Sequence, residues 1–278
     1  MRPLRFILPL CLLFLLTATQ PRKIVWTALG DSITYLNDHP EQTGNRITKG
    51  YMTLITEKYP QIQYINKGFN GWSAVRIAQQ IETLGLEKSD VYTIFLGTND
   101  WWQGQPLGTF EDYTGNTGPN TIAGAFRVII DKFRELNPQA RIILITPMQR
   151  GDFVYIANMK NNAYGSYKAK NGQLLSDVAL MLLKIGKHEK IPVVDLYHKS
   201  GIDQHNMVHF KRLRVPGTDQ YKNYTYPEYT RIPFDPEKDE YPYPTEAIYM
   251  TYDGLHPSDE GYRIIAKELL KKWRKPRK

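Results

Sequence analysis

Two periods of apolar and polar positions run through the chain. Short apolar runs rich in β-branched residues occupy 24–29, 62–65, 91–96, 141–146 and 191–195, each bounded by polar, Gly or Pro residues. Such runs read as strands buried on both faces of a parallel sheet. Between them, apolar residues recur at offsets of three and four, as in Tyr51-Leu54-Ile55-Tyr59, Val75-Ile77-Ala78-Ile81-Leu84, Ile122-Phe126-Ile129-Ile130-Phe133 and Leu174-Leu175-Val178-Leu182-Leu183. This is the spacing of a helix with one buried face. The last stretch, Tyr262, Ile265, Ala266, Leu269, Leu270 and Trp273, keeps those offsets behind Pro257-Ser258-Asp259-Glu260, a helix-start signal. Strands alternating with helices predict an α/β fold with a doubly wound parallel sheet.

Two segments break the pattern. Residues 1–18 place Arg2 and Arg5 before an apolar stretch at 6–16 and small residues at Thr17-Ala18-Thr19, the layout of a secretory signal peptide that is too short for a comfortable membrane span. This implies a secreted, periplasmic or cell-envelope protein whose mature part, 19–278, is one domain; left uncleaved, the segment would be an anchor, the only membrane contact expected. Residues 197–252 are rich in Tyr and Pro and form an irregular insertion, read either as a lid or wall of a substrate site or as a surface excursion. Asn223-Tyr224-Thr225 within it matches a glycosylation sequon, a pattern that often arises by chance.

Composition narrows the chemistry. The chain of 278 residues is 41% hydrophobic and 23% charged, ordinary for a globular protein. Its one cysteine, Cys11, falls in the signal segment, so the mature chain can form no disulfide, Cys-ligated metal site or Cys nucleophile. The formal charge of +8 is concentrated near the C-terminus, where cations favour the end of a helix and could also attract acidic polymers or anionic envelopes. No P-loop or dinucleotide glycine fingerprint is present, and neither a cofactor nor a nucleic-acid partner is expected. His205 and His209 have the spacing of two zinc ligands, but Asn206 stands where a zinc protease carries Glu, so no metal is expected.

The candidate chemistry lies at the ends of the predicted strands. Gly30-Asp31-Ser32 directly follows the first run, so Ser32 can present its hydroxyl to the crevice outside the sheet. A serine needs a base, and His256 lies three residues after Asp253, which can fix the imidazole tautomer if the stretch turns as a helix does. The oxyanion formed by attack on a carbonyl needs fixed donors. The Ser32 N–H, the Gly71 N–H within Asn66-Lys67-Gly68-Phe69-Asn70-Gly71, and the Asn99 carboxamide within Gly97-Thr98-Asn99-Asp100 follow three successive strands. Asp31 and Asp100 read as loop supports.

This ordered set of Ser, Gly, Asn and Asp-Gly-Leu-His motifs resembles the GDSL/SGNH esterase family from residue 24 to the C-terminus, with Ile33 a departure at a packing position. The resemblance implies a three-layer α/β/α sandwich, flavodoxin-like, with about five parallel strands. It also implies Ser32, Asp253 and His256 as the triad, and Ser32, Gly71 and Asn99 as oxyanion donors. Trp72, Trp101, Trp102, Gln149 and Arg150 are candidates for binding substrate, aromatic faces suiting both sugar rings and core packing. The first functional expectation is a secreted serine esterase that removes acetyl or other short acyl groups from carbohydrate. A lipase, lysophospholipase or thioesterase, requiring an apolar groove, is the alternative within the class. A non-catalytic carbohydrate-binding or envelope protein on the same fold is the alternative outside it.

Overall fold

A computed structural model describes residues 22–159 and 161–273. The segment read as a signal peptide, 1–18, lies outside them. In chain order the elements are β1 (Ile24–Gly30), α1 (Ser32–Tyr35), α2 (Tyr51–Lys58), β2 (Ile62–Gly68), α3 (Ala74–Gln79), β3 (Val91–Phe95), α4 (Thr98–Gln103), α5 (Phe110–Thr114), α6 (Ile122–Leu136), β4 (Arg141–Ile145), α7 (Leu175–Glu189), β5 (Val193–Val194), α8 (Leu196–Lys199), β6 (Lys211–Arg214), β7 (Tyr221–Tyr224) and α9 (Asp259–Trp273), with short 3-10 turns between some of them.

The five strands β1 to β5 form one parallel sheet in the order β2-β1-β3-β4-β5. Strand side chains alternate between the two faces. Leu29, Tyr92, Ile94, Ile142 and Leu144 pack beneath α3, α6 and α7. Trp26, Ala28, Phe95, Ile143 and Ile145 pack on the other side against Tyr51, Met52 and Ile55 of α2 and Tyr262, Ile265 and Leu269 of α9. Both faces are covered, which gives the three-layer α/β/α sandwich and explains why the strands read as continuous apolar runs.

The register places the site. Gly30 pairs with Gly68 on one side and with Phe95 on the other, so β1, β2 and β3 end at one edge and their following loops crowd together there. At Gly68 a Cβ would stand 2.2 Å from the Tyr35 nitrogen, so only glycine lets β2 pass that closely beneath the turn into α1.

Two long excursions extend from this edge. One is the Tyr/Pro-rich stretch expected from sequence, which contains the antiparallel hairpin β6–β7 and small apolar clusters around Val208, Leu213, Tyr229 and Tyr243. The other, residues 146–174 between β4 and α7, is about half as long, and the sequence pattern did not distinguish it from an ordinary connection. The two interlock: the Tyr243 hydroxyl donates to the Asp152 carbonyl, Tyr241 Oη donates to the Val154 carbonyl at 3.1 Å, and Gln204 Nε2 donates to the Arg150 carbonyl at 2.6 Å. Lys211, 2% exposed, places its ammonium 3.2 Å from the Asp152 carboxylate.

Candidate active site

Ser32 is the first residue of α1, and the helix starts there because Asp31 caps it: the carboxylate accepts from the Ile33 N–H at 3.0 Å. The Thr34 and Tyr35 N–H groups turn back to the Asp31 carbonyl. As the first helical residue, Ser32 has no intrahelical acceptor for its own N–H, which sits at the positive end of the short helix.

His256 reaches Ser32 from the loop before α9. Its Nε2 lies 2.8 Å from Ser32 Oγ, and its Nδ1 lies 2.6 Å from Asp253 Oδ2. A carboxylate only accepts, so Nδ1 carries the proton and Nε2 is left to accept from the serine hydroxyl. The other oxygen, Asp253 Oδ1, accepts from the backbone N–H groups of Leu255 at 3.0 Å and His256 at 2.7 Å. Asp253 is 1% exposed and His256 6%. Asp253 thus fixes both the turn and the ring. The imidazole is held between Tyr252, stacked at 5.8 Å, and the edge-on ring of Phe153 at 5.2 Å.

Gly71 arrives at the same cleft from the loop after β2, and Asn99 from the first turn of α4, after β3. Gly71 has φ +73°, and a Cβ there would meet nothing within 4 Å, so its backbone borders open space. Gln103 Nε2 pins this loop by donating to the Gly71 carbonyl at 2.7 Å. Asn99 Nδ2 donates one hydrogen to the Trp72 carbonyl at 3.0 Å, which orients the carboxamide and leaves its second hydrogen. Beneath them Asp100 accepts from the Ala74 and Val75 N–H groups at 2.8 and 3.1 Å, joining the β3 loop to the start of α3. Burial pushes the carboxyls of Asp31 and Asp100 up to about 6, against the lowering effect of these backbone hydrogen bonds.

The cleft holds about 270 Å³, and Leu36, Phe153, Tyr155, Tyr252 and Leu255 supply its apolar wall. Gln42, Asn70 and Asn161 add amides. Most of these residues were missed by sequence reasoning. Asn70 and Leu255 lay inside the motifs, but Phe153, Tyr155 and Asn161 come from the excursion after β4, where no periodicity marks them.

The five candidate substrate-binding residues do not line the cleft. Trp101 is 1% exposed, with its indole N–H on the Gln173 carbonyl at 3.0 Å, a core position. Arg150 is equally buried. Its guanidinium lies 5.5 to 5.8 Å from the Trp102, Trp101 and Phe153 ring centres, a cation over aromatic faces behind the wall that touches His256. Desolvation pulls it down to about 10, so it stays charged near neutrality. Trp102 packs on that same wall, Trp72 stacks on Phe69 at 4.8 Å beneath Arg76, and Gln149 donates to the Tyr197 carbonyl at 3.3 Å. Each is spent on packing or on the backbone, which explains its absence from the cleft lining. His205 and His209 pack against Tyr226 and Tyr249. Among the described residues no three His, Cys, Asp or Glu side chains are grouped to hold a metal ion.

The model of the GDSL-like lipase/acylhydrolase family matches residues 28–264. Among solved structures, one described as a possible lipase from Chitinophaga pinensis is 57% identical, with a TM-score of 0.88 over 90% of this chain and 97% of that chain. An acetyl xylan esterase is 18% identical, with a TM-score of 0.53 over 90% of this chain and all of that chain. A mutant of an acetyl-xylooligosaccharide esterase from a Geobacillus species is 16% identical, with a TM-score of 0.51 over 92% and 98% of the two chains. These two likenesses concern the fold alone. No curated protein matches the chain.

Proposed function

The chain belongs to the GDSL-like lipase/acylhydrolase family and is an ester-bond hydrolase, and from that premise we propose that it removes acetyl or similarly short acyl groups from carbohydrate outside the cytoplasm. In this reading Ser32 is the nucleophile, His256 the base and Asp253 its orienting partner. Carrying the proposal is the unbroken line of hydrogen bonds from Asp253 through His256 to Ser32 at the mouth of the cleft.

The proposed steps use that geometry. The Ser32 hydroxyl passes its proton to His256 Nε2 as Oγ attacks the ester carbonyl. Negative charge then grows on the former carbonyl oxygen, beside the Ser32 and Gly71 N–H groups and the second Asn99 hydrogen; each such donor is worth about 3 kcal/mol in the transition state. Collapse breaks the bond to the alcohol oxygen, which takes the proton from His256. A water molecule, deprotonated by the same nitrogen, then cleaves the acyl-serine and releases the acid.

The small cleft supports a short acyl group, and its amides Gln42, Asn70 and Asn161 suit a hydroxyl-rich alcohol. The basic, apolar start of the sequence supports export. A second reading, lipase activity, is favoured by the apolar wall of Leu36, Phe153, Tyr155 and Leu255 and by the described nature of the Chitinophaga protein. A series of p-nitrophenyl esters from acetate upward, with Ser32→Ala as control, decides between them. The acetyl reading expects kcat/KM to fall with chain length and acetate to be released from acetylated xylan. Turnover rising with chain length would establish the lipase reading, and equal activity of wild type and Ser32→Ala would leave a protein without turnover.

A further inference from the structure

At the opposite end of the sheet, where β1 and β2 begin, an open groove of about 1030 Å³ runs between α2 and α9. Its floor is apolar, with Leu54, Ile62, Leu270 and the half-buried ring of Trp273. Lys58, Arg263, Lys267 and Lys271 line it as well, and among the described residues no carboxylate does. Arg263 and Lys271 bond Glu260 and Glu268, whereas Lys58 and Lys267 have no carboxylate partner among the described residues. From Arg263 onward the sequence carries eight Lys and Arg against the single acid Glu268.

A polyanion such as an acidic polysaccharide would pair with the lysines and leave the apolar floor wet. An amphiphile with a phosphate head satisfies both at once. Lysine stems cover apolar surface while their ammonium groups reach outward, and indole rings favour the boundary between headgroups and acyl chains. We propose that this groove is a docking face for an anionic phospholipid membrane. Headgroup phosphates meet Lys58, Lys267 and Lys271, and the upper acyl methylenes rest against Leu270 and Trp273. One consequence is orientation. The cleft lies at the other end of seven-residue strands, roughly 23 Å away along the sheet, so the docked protein turns its catalytic cleft away from the bilayer. The proposal does not depend on which ester is cleaved.

The test is co-sedimentation of the full chain with vesicles of phosphatidylcholine, with and without phosphatidylglycerol. Binding is expected only with phosphatidylglycerol and should weaken as salt rises. It should fall at least tenfold in Lys267→Glu/Lys271→Glu and clearly in Leu270→Ser, with p-nitrophenyl acetate turnover unchanged in both as the sign of an intact fold. Equal binding to neutral vesicles, or equal binding by the double lysine variant, would overturn the proposal and point to the apolar residues 6–16 instead. Retention on an acidic polysaccharide without vesicle binding would overturn it in favour of a polymer partner.

Discussion

In the proposed mechanism Ser32, His256 and Asp253 act as a unit, so removing one member disables the others. Ser32→Ala and His256→Ala should each lower kcat by about three decades or more, leaving similar residual rates in steady-state assays. In the same proposal Asn99 differs, because its second amide hydrogen serves only the growing oxyanion. Asn99→Ala should reduce kcat about 10²- to 10³-fold with KM little changed. The buried carboxyls beneath the site carry a pH signature. Asp100 is pushed up to about 6 from 3.8, so the fold favours its protonated form. That contribution is complete below about pH 4 and is lost as pH rises through 6, a loss of about 3 kcal/mol by linkage. In urea titrations at pH 4 and pH 7, the stability of wild type relative to Asp100→Asn should fall by about that amount. A flat difference would mean that the ionised carboxylate is held as well as the acid. Asp31, raised for the same first cause, predicts the same sign.

At the scale of elements, the loops do the positioning and the strands supply their common edge. Helix identities were legible where the apolar period is long and regular, as in α6 and α9, and strand identities because short apolar runs are bounded by polar, Gly or Pro residues. Boundaries were less so: the predicted fifth strand, 191–195, retains only Val193–Val194 as β-structure, since Pro192 cannot donate to a ladder and Asp195 caps α8. The Asp253–His256 loop shows how tightly two connections are fitted. Gly254 has φ +86°, and a Cβ there would stand 1.9 Å from the Asp152 carbonyl oxygen, while the Gly254 carbonyl accepts from the Gly151 N–H at 2.7 Å. Gly254→Ala should therefore push the loop off the excursion after β4. A drop in Tm together with at least a 10²-fold loss of kcat is expected; full activity would mean that His256 does not depend on that contact.

For the whole molecule, the two excursions stand or fall together through the buried pair of Lys211 and Asp152. The carboxylate also accepts from the Tyr167 hydroxyl at 2.6 Å and the Gly165 N–H at 3.0 Å. Lys211→Ala strands that carboxylate and should cost about 3–5 kcal/mol in chemical denaturation, whereas Asp152→Asn/Lys211→Met should recover much of the loss. The sequence by itself determined the α/β class and the candidate residues for acyl chemistry, because apolar period reports burial and because Ser, Gly and Asn sit just after runs that must be strands, with Asp-Gly-Leu-His just before the last helix. The walls of the cleft were decided only by the tertiary structure. Phe153, Tyr155 and Asn161 follow no period, and the tryptophans that looked available for sugar were drawn into packing. Which side chain faces an opening depends on which distant loops crowd the same sheet edge, and that is set by strand order and register rather than by any local pattern.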